Sequence, residues 1–279
     1  MSERLSDINA HISSIRELGT VVNAMRGIAG ARAQQARGGL IAVKLYAESL
    51  ASAIGRTLTL LPDRDPSAMT GKRVVVLFLA EQGFAGPFSR RLLDAAIADL
   101  HDAEVFVVGT RGATLALERG LKPVWQGALP AHPASIPRFA DRLVADLYRR
   151  IAKGSVTRLE AWFSHNGLER RHLFPLEPTS FPQSASNEPP LLNLEPARVL
   201  ASLTADYIHA QLCDATLNAF AAENEARMEA MASAYREIQQ QLGSLQARRQ
   251  IVRQEEITAE IIELGESVAV GDRKSHSSG

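Results

Sequence analysis

The stretch MEAMASAYREIQQQLGSLQARRQIV, residues 228–252, decides the fold of this chain. Large side chains recur in it alternately three and four positions apart, which is the heptad spacing of a coiled-coil seam. The seam positions are Met228, Met231, Tyr235, Ile238, Leu242, Leu245, Arg249 and Val252. The spacing changes before the next apolar group, which begins at Ile257, so we do not expect a regular supercoil to continue to the end of the chain.

One long helix carries this seam, because residues 196–268 contain no proline after Pro196 and are rich in good helix formers. At about 1.5 Å per residue, this helix is on the order of 100 Å long, more than one compact domain can cover. Its exposed apolar stripe therefore needs a partner helix. Residues 1–60 supply one, with apolar positions that are also three and four apart. These positions are Ile8, Ile12, Ile15, Leu18, Val22, Met25 and Ala29.

The charges of the two helices also favour their pairing. Residues 1–60 contain seven Lys and Arg against four Asp and Glu, a net charge of +3. Residues 195–268 contain six against twelve, a net charge of −6. Because opposite charges attract, the two segments are expected to associate within one chain.

Five glycines lie inside the first helix, where each costs about 1 kcal/mol relative to alanine. They are Gly19, Gly27, Gly30, Gly38 and Gly39. Close approach of the second helix would offset this cost for the first three, and a bend would explain the last two. Both interpretations stay open at the level of sequence.

Between the helices, residues 72–176 change to alternating strand-like and helical segments. The strand-like segments are RVVVLFLA (73–80), EVFVVG (104–109), KPVWQ (122–126) and TRLEAWFSH (157–165), with RHLFPL (171–176) as a further candidate, and the helical ones lie near 87–100, 111–119 and 137–152. This alternation predicts a mainly parallel sheet, because parallel neighbours need crossover connections. The predicted fold class is α/β: a long antiparallel coiled coil of the N- and C-terminal helices with an inserted α/β domain that has a mainly parallel sheet.

The predicted domain boundaries fall at turn-rich stretches. The stretch LLPDRDPSAMTG separates the N-terminal coiled-coil helix at 1–60 from the inserted domain at 72–176. A linker at 177–195 leads to the C-terminal coiled-coil helix at 196–268. The remaining residues, 269–279, are predicted to form a polar tail without order.

Composition excludes several classes of protein. The chain has 31 Lys and Arg against 31 Asp and Glu, so it lacks the basic excess of a sequence-independent nucleic-acid binder. Its one cysteine, Cys213, cannot form an internal disulfide, which favours a reducing compartment. No apolar run approaches the roughly 20 residues of a membrane span, so any membrane contact is expected to be made through partners.

Signals for chemistry are weak throughout the sequence. The loop EQGFAGPF (81–88) and the turn GTRG (109–112) each open a helix, but neither has a P-loop or complete dinucleotide pattern, and we interpret both as tight turns. The seven histidines show no metal-ligand spacing. Glu223, Glu225 and Glu229 are interpreted as part of a solvated helix face. We therefore expect no catalytic residue, no cofactor and no metal.

Both ends of the chain resemble the gamma subunits of F-type ATP synthases. The first helix, within 7–32, resembles the family's opening helix, AENEARMEAM (222–231) resembles a specific internal element of that family, and RQEEITAEIIEL (253–264) resembles its ending. The matching positions of the first helix are Ile8, Ile12, Ser14, Ile15, Val21, Ala24, Met25 and Ala29, and those of the internal element are Ala222, Glu223, Ala226, Arg227, Met228, Ala230 and Met231.

The resemblance implies a non-catalytic rotor whose paired helices fill the axis of a hexamer of alpha and beta nucleotide-binding subunits. The α/β domain would then lie near the epsilon subunit and the membrane c-ring, at the cytoplasmic face of the bacterial inner membrane. The positions that the resemblance assigns to partner contact are Met25, Arg26, Arg227, Arg253 and Gln254.

Departures from the family pattern predict a divergent bacterial branch. The family's R-G-L-C-G-G-L-N loop is replaced by QGFAGPFS at residues 82–89, and its N-terminal lysines are replaced at Asn9, Ala10 and Ser13. Two alternatives stay open: an α/β enzyme with a helical arm, and a coiled-coil scaffold without a rotary partner. A tightly bound nucleotide would favour the enzyme, and a stable dimer of the pure chain would favour the scaffold.

Overall fold

Two long helices begin and end the chain. In the computed structural model, the described residues are 5–61, 71–152, 156–165, 167–182 and 190–275, with side chains described except at 152 and 265–275. Helix α1 spans Leu5–Leu58 and helix α5 spans Pro196–Ser275. Pro196 suits the first position of a helix, because its missing N–H would have no partner there and its φ is already helical.

Helix α5 extends seven residues past the predicted boundary at Val268, and the segment up to Ser275 is helical where we predicted a tail without order. The central parts of both predicted linkers, residues 62–70 and 183–189, lie outside the described residues. The domain boundaries therefore stay predictions.

A five-stranded sheet lies between the two long helices in the chain order. Its strands are β1 (Lys72–Phe78), β2 (Ala103–Val108), β3 (Trp125–Gly127), β4 (Val156–Ser164) and β5 (Leu168–Phe174). The strand order is β3-β2-β1-β4-β5. The pairs β3/β2, β2/β1 and β1/β4 are parallel, and β4/β5 is antiparallel. The prediction of a mainly parallel sheet is confirmed, with the fifth strand beginning three residues before the predicted start.

Three further helices connect the parallel strands: α2 (Phe88–Ala96), α3 (Thr110–Glu118) and α4 (Ile136–Ala152). They cover both faces of the sheet, and the buried stretch of its central strand β1 is apolar on both faces. In β1, Val74, Val76 and Phe78 point into one apolar cluster with α4, while Val75 and Leu77 point into another with α2 and α3. This double burial is what parallel sheets require.

The chain divides into two compact units, and the division cuts both long helices. Unit 1 comprises Met1–Arg26 and Met231–Gly279, and unit 2 comprises Gly27–Ala230. These limits differ from the predicted linkers. Unit 2 therefore contains the sheet and the adjoining parts of α1 and α5.

In unit 1, α1 and α5 pair in antiparallel orientation. Gly19 faces Ile238, and the guanidinium of Arg26 lies 5.6 Å from the ring centroid of Tyr235. Residue numbers thus fall along α5 as they rise along α1. The buried apolar side chains of this unit include Ile8, Ile12, Val22, Met231, Ile238 and Leu242.

The predicted apolar face of α1 is wrong at one position. Leu18 is 49% exposed, whereas Gly19 faces the partner helix. A β-carbon at Gly19 would lie 3.1 Å from Ile238 Cγ2, so the absence of a side chain lets α5 approach closely. The apolar face therefore continues from Ile15 to Gly19, four residues further on, and not to Leu18.

The remaining glycines of α1 divide by their surroundings. At Gly30 a β-carbon would lie 3.2 Å from the sulfur of Met228, so close approach is confirmed there as at Gly19. Gly27 has nothing within 4 Å, and the same prediction is wrong at that residue. Gly39 faces Leu217, and α1 continues as a helix through Gly38 and Gly39.

The turn at 109–112 needs its glycines for contact with the end of β1. Gly109 has a φ of +108°, and a β-carbon there would lie 2.3 Å from the carbonyl oxygen of Leu79. A β-carbon at Gly112 would lie 2.1 Å from the Leu79 Cβ. A side chain at Gly109 or Gly112 would clash with Leu79, and at Gly109 it would also strain the backbone. Close packing therefore explains the two glycines of this turn.

Candidate functional site

Helix α5 carries a run of buried polar side chains where it passes through unit 2. We call it the buried polar series; its members are Asp214, Thr216, Asn218, Glu223, Asn224 and Arg227, each at most 6% exposed. Burying charged groups costs free energy unless each finds a partner. The groups that this series binds therefore mark the places where α5 is held in a defined position.

Glu223 and Arg227 bind the loop that follows β1. The carboxylate of Glu223 accepts hydrogen bonds from the backbone N–H groups of Glu81 and Gln82, both at 3.1 Å. The guanidinium of Arg227 donates to the carbonyl oxygens of Gly83, at 3.1 Å, and Gln82, at 3.4 Å. It also donates to Glu223, at 2.5 Å. One turn of α5 thus pairs both donors and acceptors of the loop backbone.

The side chain of Glu81 continues this network into the α/β domain. One of its oxygens accepts the N–H groups of Thr110, at 2.9 Å, and Leu129, at 2.8 Å. The other accepts the Thr110 hydroxyl at 2.8 Å. Because Thr110 is the first residue of α3, the carboxylate lies at the positive end of the helix dipole. Glu81 therefore joins the loop after β1 to α3 and to the segment after β3.

A second group of contacts binds α5 to strand β5 and to the residue that follows β4. Arg171 on β5 donates to Asp214 at 2.5 Å, and a ring nitrogen of His165, just after β4, lies 2.9 Å from the Asn218 side-chain oxygen. Burial alone would lower the pKa of Arg171, but hydrogen bonds and charges from Asp214 and Glu169 outweigh it and raise that pKa. The Arg171 guanidinium therefore stays charged beside Asp214. Within the described part of the chain, Asp214 Oδ1 has no hydrogen-bond partner.

Within unit 2, α1 is joined to α5 by an ion pair with two parallel hydrogen bonds. Arg37 Nε and Nη2 each donate to a carboxylate oxygen of Glu225 at 3.0 Å. A third donor of Arg37 lies 3.4 Å from the Asn218 oxygen. Since the two-pronged geometry fixes direction as well as distance, this pair sets the register of the two helices here.

The prediction that Glu223 lies on a solvated helix face is wrong. Glu223 is 2% exposed, while Glu225 is half-buried against Arg37 and Glu229 is exposed. Helical periodicity could not separate these carboxylates, because the partner of Glu223 is a loop far away in sequence. The sequence signal that could have identified Glu223 as buried is its position in AENEARMEAM (222–231), the most specific motif of the chain.

The loop 81–88 forms the turn that was expected from its glycines. Phe84 has a φ of 62° and its side chain is 68% exposed, and Gly86 has a φ of 55°. A cavity of about 240 Å³ lies beside the loop, with Arg90 and Arg111 among its lining residues. Glu223 occupies the N–H groups of Glu81 and Gln82, so these two donors are not available to a phosphate.

The five residues assigned to partner contact fall in different surroundings. Arg253 and Gln254 are exposed on α5. Met25 is half-buried, and so is Arg26, whose guanidinium lies over Tyr235. Arg227 is buried and its donors are directed at groups of its own chain. The structure thus leaves Arg253 and Gln254 the most accessible of the five.

Two features of the described residues bear on the kind of site present. Among the described residues, no three His, Cys, Asp or Glu side chains are grouped so that they could hold a metal ion. In the same part of the chain, no helix combines the length and apolarity needed to cross a membrane.

Comparison with known proteins places the chain in a family. The family model described as ATP synthase matches residues 4–269. An ATP synthase gamma chain of Geotalea daltonii is 25% identical, over 93% of this chain and 96% of the relative. An ATP synthase gamma chain of Streptomyces avermitilis is 26% identical, over 99% of both chains.

Solved structures share the fold. A chain from the rotor of the Euglena gracilis mitochondrial ATP synthase has a TM-score of 0.62 with 12% identity, covering 91% of this chain and 98% of that one. A chain from the OSCP/F1/c-ring part of the same synthase in another rotational state has a TM-score of 0.64, also with 12% identity, covering 95% and 94%. Because the family model matches nearly the whole chain, this protein belongs to the ATP synthase family, and its relatives there are gamma chains.

Proposed function

We propose that this chain is the central rotor shaft of an F-type ATP synthase or ATPase, which couples ion flow through a membrane ring to ATP synthesis or hydrolysis on other subunits. The observation that carries this proposal is the family match over residues 4–269, which includes both long helices and the sheet. The shaft itself is not catalytic. Its role is mechanical and depends on the shape that α1, α5 and the sheet present to the surrounding subunits.

Coupling by such a shaft rests on asymmetry. A rotor that makes different contacts with each of several identical subunits changes their relative affinities for nucleotide as it turns. Differences in contact are the only source of this bias, since a ligand with equal affinity for all states shifts none of them. The shaft must therefore keep its side chains in fixed positions under load, and the buried polar series is suited to that requirement.

The partners follow from the family. The solved structures with the same fold come from ATP synthase assemblies described as a rotor, a central stalk with its c-ring, and OSCP/F1/c-ring. We propose alpha and beta nucleotide-binding subunits around the helix pair, and an epsilon subunit and a membrane c-ring beside the α/β domain. The membrane complex would then lie at the cytoplasmic face of the bacterial inner membrane, with this chain held there by its partners.

Exposure supports partner contact in the C-terminal part of α5. Arg253 and Gln254 are exposed, and a guanidinium there can form two parallel hydrogen bonds with a carboxylate of a catalytic subunit. Met25 and Arg26 are proposed as a second contact, although part of the Arg26 side chain is used by Tyr235. For Arg227 the proposal is weaker, because its hydrogen bonds are made within the chain.

Arg253→Ala should lower the ATPase activity of the assembled complex by several-fold while leaving the chain folded. The matched control is Arg236→Ala, an exposed arginine on the same helix. Steady-state ATP hydrolysis by purified complexes would measure the effect. Turnover equal to that of the control would contradict the assigned contact.

The function is tested by purifying the tagged chain from membranes of its native host. We expect two larger nucleotide-binding subunits and an ATPase activity to be recovered with it. Recovery of the chain alone as a stable dimer would support the scaffold instead. Recovery of a tightly bound nucleotide without those subunits would support the enzyme.

A further inference from the structure

We infer that Glu223 and Arg227 are positioning residues of the rotor, which fix the loop after β1, and with it the carboxyl end of that strand, to helix α5. A rotation of this part of α5 would then carry the α/β domain with it. The inference rests on the proposed function for its consequence in the motor, but the contact itself is a property of the chain.

The two side chains of α5 match the hydrogen-bonding groups of the loop backbone. Glu223 presents two acceptors to the N–H groups of Glu81 and Gln82, and Arg227 presents donors to the carbonyl oxygens of Gln82 and Gly83. The two residues are one helical turn apart, so both reach the same loop. Both residues are at most 6% exposed, and hydrogen bonds to charged groups are strengthened where water is excluded.

Supporting contacts keep the two residues aligned. Asn224 accepts a hydrogen bond from Arg227 at 3.0 Å, and its own amide donates to the carbonyl oxygen of Phe220 at 2.8 Å. The loop in turn is bound to α3 and to Leu129 through the Glu81 carboxylate. A displacement of α5 relative to the loop would break several charge-assisted hydrogen bonds together.

Apolar packing alone would not give this property. Contacts of Ala222 and Ala226 with the neighbouring apolar cluster stabilise the junction, but hydrophobic burial is not directional. Hydrogen bonds weaken steeply when they lengthen or bend. The contact is therefore what resists sliding and rotation of α5 against the sheet.

The simpler alternative is an ordinary ion pair between residues four apart on one helix, which would support the helix alone. A charge swap separates the two explanations. The double variant Glu223→Arg/Arg227→Glu keeps an ion pair on the helix, but it directs a guanidinium at N–H groups and a carboxylate at carbonyl oxygens. An ordinary pair would tolerate the swap, whereas a backbone contact would be lost.

Hydrogen exchange of the loop amides tests the contact directly, on the full chain in its purified complex or, if no complex forms, on the full chain alone. Glu223→Gln keeps the size of the side chain but directs an NH₂ group at one of the two backbone donors. We expect the amides of Glu81 and Gln82 to exchange about tenfold faster in this variant, and at least as fast in the swap. The matched control is Glu229→Gln, an exposed carboxylate on the same helix, which should not change their exchange. Unchanged exchange in Glu223→Gln, or wild-type exchange in the swap, would overturn the inference.

The consequence for the motor is measured in inverted membrane vesicles as ions taken up per ATP hydrolysed, with both proton and sodium indicators. We expect Glu223→Gln to lower this ratio several-fold while ATP hydrolysis continues, because the catalytic subunits still meet a helix pair. A ratio equal to that of Glu229→Gln would overturn the positioning role. If the wild-type chain brings down no nucleotide-binding subunits, the proposed function fails, while amide exchange still decides whether the contact exists.

Discussion

Helix α5 is held by two different kinds of contact in the two units of the chain. In unit 1 its buried residues are apolar, as at Met231, Ile238 and Leu242. In unit 2 it adds the buried polar series, whose charges bind loops and strands of the α/β domain. Apolar seams stabilise a pair of helices without specifying one position uniquely, whereas buried polar contacts penalise every register but one.

This difference matches what each part of a shaft would have to do. A helix pair that turns inside other subunits needs stiffness along its own length. A domain attached beside a helix pair also needs resistance to slipping, and directional bonds provide it. Changes to the polar contacts of unit 2 and to the apolar seam of unit 1 should therefore differ in their effects.

The largest effect is expected from breaking a polar contact of unit 2. Arg171→Met would leave the buried carboxyl group of Asp214 without its cationic partner, at a cost of about 3–5 kcal/mol in the free energy of unfolding. Denaturant titration of the full chain would measure this loss. Arg142→Met is the control, since Arg142 is exposed on α4 of the same unit. A loss no larger than the control's would mean that the ion pair contributes little.

A cavity in the apolar seam of unit 1 should cost somewhat less. Ile238→Ala removes a buried side chain that packs on Gly19, and we expect a loss of about 2–4 kcal/mol. Ile251→Ala is the matched control, because Ile251 is 57% exposed on the same helix. Thermal and denaturant unfolding would compare the two. Equal losses would show that the seam does not pack at Ile238.

Alkaline pH should weaken unit 2 through its one thiol. Burial, the first cause, and the charges of Asp141 and Asp214 raise the pKa of Cys213 to about 12. The unfolded chain, with a thiol pKa of about 8.5, releases its proton first, so stability present below that pH is lost as pH rises toward 12. Between pH 8 and pH 10 we expect a loss of about 1–2 kcal/mol relative to Cys213→Ala. Parallel pH dependence of the two chains would contradict this assignment.

The smallest effect concerns the glycines of α1. At Gly38 a β-carbon meets nothing within 4 Å, so Gly38→Ala should stabilise the chain by about 0.5–1 kcal/mol. At Gly19 the same change places the β-carbon 3.1 Å from Ile238, and the gain should be reduced or reversed. Melting temperatures of the two variants would test this. Equal stabilisation would show that α5 can move away from a β-carbon at residue 19 without a loss of stability.

Much of the architecture could be predicted because it follows from local pattern. Heptad spacing located the buried Met231, Ile238 and Leu242, and alternation of strands and helices implied a mainly parallel sheet. The error at Leu18 was also one of pattern. A glycine has no hydrophobicity to count, so spacing alone selected the leucine beside it instead of Gly19.

The sequence by itself determined the two long helices, the order of the sheet's elements and the family, because these are encoded in periodicity and in two specific motifs. Tertiary structure decided which charged residues of α5 point inward. Glu223 and Glu225 look alike in sequence, yet one is buried against the loop after β1 and the other pairs with Arg37. The difference depends on a backbone 142 residues away from Glu223 whose N–H groups need an acceptor, and no local pattern contains that information.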